Sequence, residues 1–121
     1  MKNLKVKFEA LISDWELAGL KRMFGYDVYA ANRKMFAWLE EDGISLTGLA
    51  EPDRIIVTEQ FGAHPYTALD RVFKSWLIIP VPNETTFKKL IPYIRKSYEG
   101  SYAASLAPKP PRRSYKKKRI F

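Results

Sequence analysis

Residues 24–49 read FGYDVYAANRKMFAWLEEDGISLTGL. In this segment Phe24, Tyr26 and Val28 alternate with their neighbours, residues 35–39 form a short apolar run, and residues 44–49 are apolar with small or polar residues between. Alternation and short apolar runs rich in aromatic residues are both typical of strands, so we predict strands over residues 24–29, 35–39 and 44–49. The connections between them are only a few residues long, and one contains the Asp42-Gly43 pair favoured in tight hairpins. Short connections join antiparallel neighbours, which predicts a three-stranded meander.

Helices are predicted before and after this meander in the chain. An apolar stripe at helical spacing predicts a helix over about residues 3–18, and Gly19 supplies a stop for it. The residues of that stripe are Leu4, Phe8, Leu11, Ile12 and Trp15. The segment 51–61 is ambiguous, because Pro52 and two acids are typical of a helix start while Ile55-Ile56-Val57-Thr58 favours a strand. We expect a short helix that ends at Phe61 and is closed by Gly62.

The rest of the chain predicts a hairpin and a final helix. Residues 66–81 are strand-like, with a turn near Asp70-Arg71. Asn83 is a good N-cap for the last helix, and Pro92 within that helix should kink or divide it. The predicted order is α-β-β-β-α-β-β-α. It gives an α+β domain in which a mostly antiparallel five-stranded sheet packs with N- and C-terminal helices.

The positive charge of the chain is concentrated at its C-terminal end. The 121 residues carry a formal net charge of +8. Residues 107–121 hold seven of the 21 basic residues and no acid, so 14 basic residues face 13 acidic ones in residues 1–106. We therefore divide the chain into an almost neutral domain at 1–106, with a net charge of +1, and a basic, proline-containing tail at 107–121. Prolines and like-charge repulsion predict that this tail is disordered.

The composition excludes several classes of protein. Without cysteine, the chain has no disulfide framework, thiolate metal site or cysteine nucleophile. The longest apolar run, Trp76-Leu77-Ile78-Ile79, is far shorter than the roughly 20 residues of a membrane span. The first residues do not lead into an apolar stretch of the signal-peptide type. We expect a cytoplasmic domain that has no membrane partner.

Two groups of residues resemble a known family. One group consists of Lys21-Arg22-Met23-Phe24-Gly25-Tyr26, Tyr29 and Lys34-Met35-Phe36-Ala37, and the other of Trp76, Leu90, Ile94 and Ser97-Tyr98-Glu99. Together they resemble the N-terminal domain of TfoX-type competence regulators, and the second group is shared with the wider MmcQ/YjbR-like group. The resemblance spans about residues 4–104 and departs where the family usually has Met-Phe-Gly-Gly-Tyr-Gly. It implies an α/β fold, a link to the regulation of DNA-uptake genes, and no catalytic residues.

No catalytic constellation is apparent in the sequence. His64, the only histidine, precedes Pro65 in a loop-like segment without a carboxylate at a useful spacing, so we interpret it as an exposed loop residue. The acidic run Glu40-Glu41-Asp42 lacks the alternating spacing of a calcium loop and is interpreted as a solvated turn. We predict a protein that is not an enzyme and that has no metal or cofactor. An enzyme that uses tyrosine or carboxylate groups in a pocket stays an alternative.

The predicted meander is rich in aromatic residues, which admit two interpretations. On an open sheet they would form a stacking platform for single-stranded nucleic acid; under helices they would be core. The sequence favours the core for most of them. Tyr26 and Tyr29 cannot both point inward unless a bulge intervenes. The residues concerned are Phe24, Tyr26, Tyr29, Phe36 and Trp38.

The candidate binding residues are basic. Lys88 and Arg95, and likewise Lys89 and Lys96, are seven residues apart and share a face of the last helix, which leads into the tail. The candidate residues of the tail are Lys109, Arg112, Arg113, Tyr115, Lys116, Lys117, Lys118 and Arg119. They predict non-specific contact with DNA or RNA, with Tyr115 able to stack on a base.

The sequence thus predicts a small non-enzymatic regulatory or adaptor module, related to transcription, with a nucleic-acid-binding tail. The domain would contact a regulatory protein. The alternative is a protein–protein adaptor whose tail binds an acidic partner and which has no nucleic-acid role. The tail is also compatible with a function in solubility alone.

Overall fold

The computed structural model describes residues 3–23, 26–40, 43–68 and 71–106. These residues form three helices and six strands in one antiparallel sheet, an α+β fold. The elements in chain order are α1 (Leu4–Ile12), β1 (Ala18–Met23), β2 (Tyr26–Ala31), β3 (Lys34–Glu40), β4 (Gly43–Leu46), α2 (Glu51–Phe61), β5 (His64–Ala68), β6 (Arg71–Pro80) and α3 (Glu84–Leu106). The predicted tail at 107–121 lies outside the described residues.

The strands are arranged in the order β1-β2-β3-β4-β6-β5, and every neighbouring pair is antiparallel. The predicted meander is confirmed as β2-β3-β4, and the predicted hairpin is confirmed as β5-β6. The prediction of five strands was wrong, because β1 adds a sixth strand beside β2.

The predicted helix over residues 3–18 was too long. α1 ends at Ile12, and the chain then turns through Leu17, whose φ of 56° lies in the left-handed region. The Asn32 N–H donates to the Leu17 carbonyl at 2.8 Å and fixes the point where the chain enters the sheet. Gly19 therefore lies within strand β1 and does not stop a helix. Trp15 packs on the core from the turn, so its apolar spacing was compatible with either backbone.

The three helices pack on one face of the sheet. Phe8 of α1 is fully buried, with its ring centroid 4.7 Å from that of Tyr29 and 6.3 Å from that of Phe36. The Tyr98 ring of α3 meets Phe36 edge-on at 5.6 Å. Val57 of α2 belongs to the same buried cluster. Full burial of a large apolar side chain is worth about 1.5–3 kcal/mol, so each of these buried rings contributes to the stability of the fold on that scale.

The boundary signals of α2 and α3 are confirmed. Gly62 ends α2 at a φ of 73°, which suits glycine, and so the β-branched run before it is helical. The Asn83 side chain accepts a hydrogen bond of 2.9 Å from the Thr86 N–H at the start of α3. Pro92 does not divide α3, which runs from Glu84 to Leu106. Within the described residues, no helix is long and apolar enough to cross a membrane.

A close backbone approach joins α3 to the loop after β4. A Cβ atom on Gly100 would lie 2.5 Å from the Gly48 carbonyl oxygen, and Gly48 itself has a φ of +83°. The buried Ser97 hydroxyl lies next to this contact, within hydrogen-bond distance of the carbonyls of Phe36, at 3.0 Å, and Thr47. Only glycine lets the helix and the loop come this near.

Candidate nucleic-acid interface

The second face of the sheet carries a row of side chains that points away from the helices. The pairing register places in this row Lys21, Val28, Trp38, Ser45, Ile78 and His64, one from each strand. Their neighbours along the strands, such as Tyr29, Ile44 and Ile79, point into the helix-covered core. In the described parts of the chain, no helix packs on the second face, which we call the open face.

Four aromatic rings gather on the open face, and we call them the aromatic cluster: Trp38, Tyr66, Phe73 and Trp76. The centroids of Trp38 and Trp76 are 4.3 Å apart, and Tyr66 meets Trp38 edge-on at 5.0 Å. Phe73 lies 5.7 Å from Tyr66 and is 37% exposed. The other three side chains are half-buried. The cluster therefore presents ring surface to solvent from β3, β5 and β6.

A bulge places Trp38 on this face. The β2–β3 register shifts between Tyr29 and Ala30, so that Phe36 has no partner opposite it. Phe36 consequently joins Tyr29 in the core, whereas Trp38 takes the opposite face. The prediction that most of the meander aromatics are core is right for Tyr29 and Phe36 and wrong for Trp38. Phe24 and the side chain of Tyr26 lie outside the described residues.

Polar groups accompany the aromatic cluster. The Trp38 Nε1–H donates to Glu40, which holds the indole in place at one end of the face. Ser45 is fully buried between Trp38 and Ile78 in the register. Its Oγ has no hydrogen-bond partner among the described residues. Ser45 is therefore a buried hydroxyl beside Trp38 that the described part of the fold leaves without a partner.

The predicted basic residues of α3 are largely compensated by acids. Lys88 lies 4.0 Å from Glu84, Arg95 lies 3.0 Å from Glu99, and Lys96 lies 3.0 Å from Asp53. Lys89 is exposed.

Arg95 also makes cation–π contacts on the helix-covered face of the sheet. Its guanidinium lies 4.9 Å from the ring centroids of both Trp15 and Tyr98. The basic face of α3 therefore adds little uncompensated charge to any binding site.

The point where the tail begins is fixed by contacts at the end of α3. The Asn32 side chain donates to Ser105 Oγ at 3.1 Å, which places the end of α3 beside the β2–β3 turn. Arg33 and Lys34 in and after this turn are exposed. Leu46, the last residue of β4, is paired with Leu77, and Trp76 is the residue before Leu77. Trp76 therefore lies at the same end of the sheet. The predicted binding residues of the tail, from Lys109 to Arg119, lie outside the described residues.

The helix side has an open cleft of about 490 Å³ between the turn after α1 and the end of α3. Asp14, Trp15, Glu99 and Tyr102 contribute to its lining. Burial raises the pKa of Tyr98, at the floor of the cleft, above the ordinary value of a tyrosine. The Tyr98 hydroxyl donates to the Glu16 carbonyl and so joins α3 to the turn after α1.

Other polar candidates are dispersed. His64 is exposed as predicted, but it begins strand β5 and does not lie in a loop; its Nδ1 is 3.3 Å from the Pro65 carbonyl oxygen. Within the described ranges, no three His, Asp or Glu side chains come together in a way that could hold a metal ion.

Searches with protein-family models and against curated proteins and solved structures find no match for this chain.

Proposed function

We propose that this protein is a small non-enzymatic regulatory or adaptor module that attaches to nucleic acid through its basic tail. The location of the charge carries the proposal. Residues 1–106 have a net charge of only +1, and three of the four candidate cations of α3 lie within 4.0 Å of a carboxylate oxygen. The seven cations of residues 107–121 face no acid in that segment. The resemblance to TfoX-type domains supports a regulatory function for the domain.

Counterion release sets the strength of this attachment. Each phosphate neutralised on duplex DNA contributes about −0.9 to the slope of log K against log salt. Seven tail cations then give a slope of about −6 when all of them engage. Contacts to phosphate do not distinguish sequences, so the binding should be largely independent of sequence.

The test compares the full chain with a variant that lacks residues 108–121. Affinity for a labelled duplex is measured by fluorescence anisotropy over a range of salt concentrations. We expect the deletion to remove most of the affinity and nearly all of the salt slope. Unfolding in urea should give nearly the same stability for both proteins, since the deleted segment has little apolar surface beyond Ile120 and Phe121.

A matched pair of triple variants locates the charge more finely. Replacing Lys116, Lys117 and Lys118 by alanine should reduce the slope by about 3, because three phosphate contacts are lost. Replacing Lys88, Lys89 and Lys96 by alanine removes the same formal charge but should change the slope by less than about 1. Equal effects of the two variants would overturn the location of the site in the tail.

Binding to poly-glutamate in the same assay separates the acidic-partner alternative. A full chain that binds poly-glutamate but neither DNA nor RNA, even at low salt, would overturn the proposed function and favour a protein–protein adaptor. A tail-less variant that keeps the full salt slope would transfer the site to the folded domain.

A further inference from the structure

We propose that the open face of the sheet binds single-stranded nucleic acid by stacking bases on the aromatic cluster. The inference rests on the proposed function for the class of ligand, and it adds a second site with a preference for unpaired bases. Bases in a duplex are stacked on each other, so only a single strand can offer its ring faces to protein side chains.

The exposure of the rings is the first observation behind this inference. Exposed aromatic groups usually gain by burial, yet Phe73 is 37% exposed and Trp38, Tyr66 and Trp76 are half-buried. The three helices pack on the other face, against the core around Phe8 and Ile79. The cluster is thus a contiguous apolar surface, which is typical of a binding site.

The dimensions of the cluster suit a short stretch of bases. The rings come from β3, β6 and β5, and β4 lies between β3 and β6. Three strand spacings amount to about 14 Å. Sheet surfaces of this kind stack two or three bases. The Trp38 ring is already held by its bond to Glu40, so less side-chain freedom is lost when a base stacks on it.

The distribution of charge favours one end of the face for contact with the phosphate backbone. The exposed cations Arg33 and Lys34 lie at the end of the sheet where α3 ends and the tail begins. The acid Glu40 lies at the opposite end, paired in the register with Gly43. A tail of 15 residues spans at most about 50 Å when extended, which is enough to reach around the sheet edge to the open face. The sugar-phosphate backbone should therefore approach the sheet most closely at the Arg33 end, where the tail can also contact it.

The test uses the full chain and three oligonucleotide probes of about 12 nucleotides, a length within the usual site size. The first is single-stranded, the second is its duplex, and the third is a single strand of abasic sugar-phosphate units. The abasic probe keeps the phosphates and lacks the bases. Phe73→Ala is compared with Val72→Ala, a control on the next residue, which is 55% exposed and apolar. Urea unfolding of both variants verifies that they fold.

We expect Phe73→Ala to weaken binding of the single strand by about tenfold, since stacking on one ring contributes on that scale. Its binding to the duplex and to the abasic probe should stay within about twofold of the unsubstituted protein, as should all binding by Val72→Ala. In a Trp15→Phe background, the remaining indoles Trp38 and Trp76 are both in the cluster. Their fluorescence should be quenched by the single strand and unchanged by the abasic probe.

The failure of this inference differs from the failure of the proposed function. Equal affinity for the single-stranded and abasic probes, with no effect of Phe73→Ala, would overturn stacking while leaving attachment by the tail intact. A loss of self-association on Phe73→Ala, seen by sedimentation without any effect on nucleic acid, would assign the face to a second copy and also overturn the inference. Absence of binding to all three probes at low salt would overturn both proposals.

Discussion

Replacing Gly100 by alanine should destabilise this protein, although the same change in most helices is favourable. Alanine gains about 1 kcal/mol over glycine within a helix. Here the new Cβ would lie 2.5 Å from the Gly48 carbonyl oxygen, a backbone atom, whereas ordinary contact begins at 3.4 Å. The end of α3 must therefore move by about 0.9 Å, which strains the neighbouring bonds of Ser97. Overpacking of this kind costs about 1–3 kcal/mol.

Because the atom met is backbone and cannot give way as a flexible side chain can, the cost should lie in the upper part of this range, about 2–3 kcal/mol, which leaves a net loss of about 1–2 kcal/mol for Gly100→Ala. Urea unfolding followed by tryptophan fluorescence measures it, and a typical m-value for a small domain lowers the midpoint by about 0.5–1 M. Gly19→Ala is the matched control, since nothing lies within 4 Å of its added Cβ. That control should change stability by no more than about 0.5 kcal/mol. A Gly100→Ala protein as stable as the original would show that the approach of α3 to the loop is not tight.

Two other substitutions test the core. Phe8→Ala removes a fully buried ring and should cost about 3–5 kcal/mol in denaturant unfolding. The control Val6→Ala, on the exposed side of the same helix, should cost less than about 0.5 kcal/mol. A loss below about 1 kcal/mol for Phe8→Ala would contradict its place in the core. Burial, together with the 2.8 Å bond that the Tyr29 hydroxyl donates to Glu9, raises the pKa of Tyr29 above its ordinary value of 10.0. The folded state then holds this proton where the unfolded chain releases it, so the stability present below pH 10 should fall as the pH rises further. Thermal melts should show that Tyr29→Phe lessens this fall, and an unchanged alkaline slope would contradict the assignment.

The sequence predicted those elements whose ends carry their own chemical signals. Gly62 and Pro52 bounded α2 correctly although Ile55-Ile56-Val57 favours a strand, because the ends of a helix impose geometry that few residues satisfy. β1 was missed for the opposite reason. The turn at Leu17 uses a left-handed backbone without a glycine or asparagine, so the sequence offered no marker of the chain reversal.

The candidate site was predictable only in part, because a face of a sheet depends on register. Alternation alone places Phe36 and Trp38 on one side, and the bulge separates them. The sequence contains no glycine at that position that would indicate the bulge. Tyr66 and Trp76 come from a different hairpin, and their meeting with Trp38 follows from the pairing of β4 with β6. The net charge of the tail, in contrast, could be counted from the sequence alone.

The long reach of α3 across the sheet has a consequence for the protein as it is being synthesised. Ser97, Ser105 and Tyr98 form hydrogen bonds with Phe36, Asn32 and Glu16. These partners precede them in the chain by 61, 73 and 82 positions. Ribosomes add about 5–20 residues per second, so β2 and β3 wait several seconds before the helix that covers them exists. During that interval the apolar side of the meander is accessible to other nascent chains and to chaperones. A truncated translation product that stops before Ser97 should therefore aggregate or stay chaperone-bound, however sound its local strand and turn sequences are.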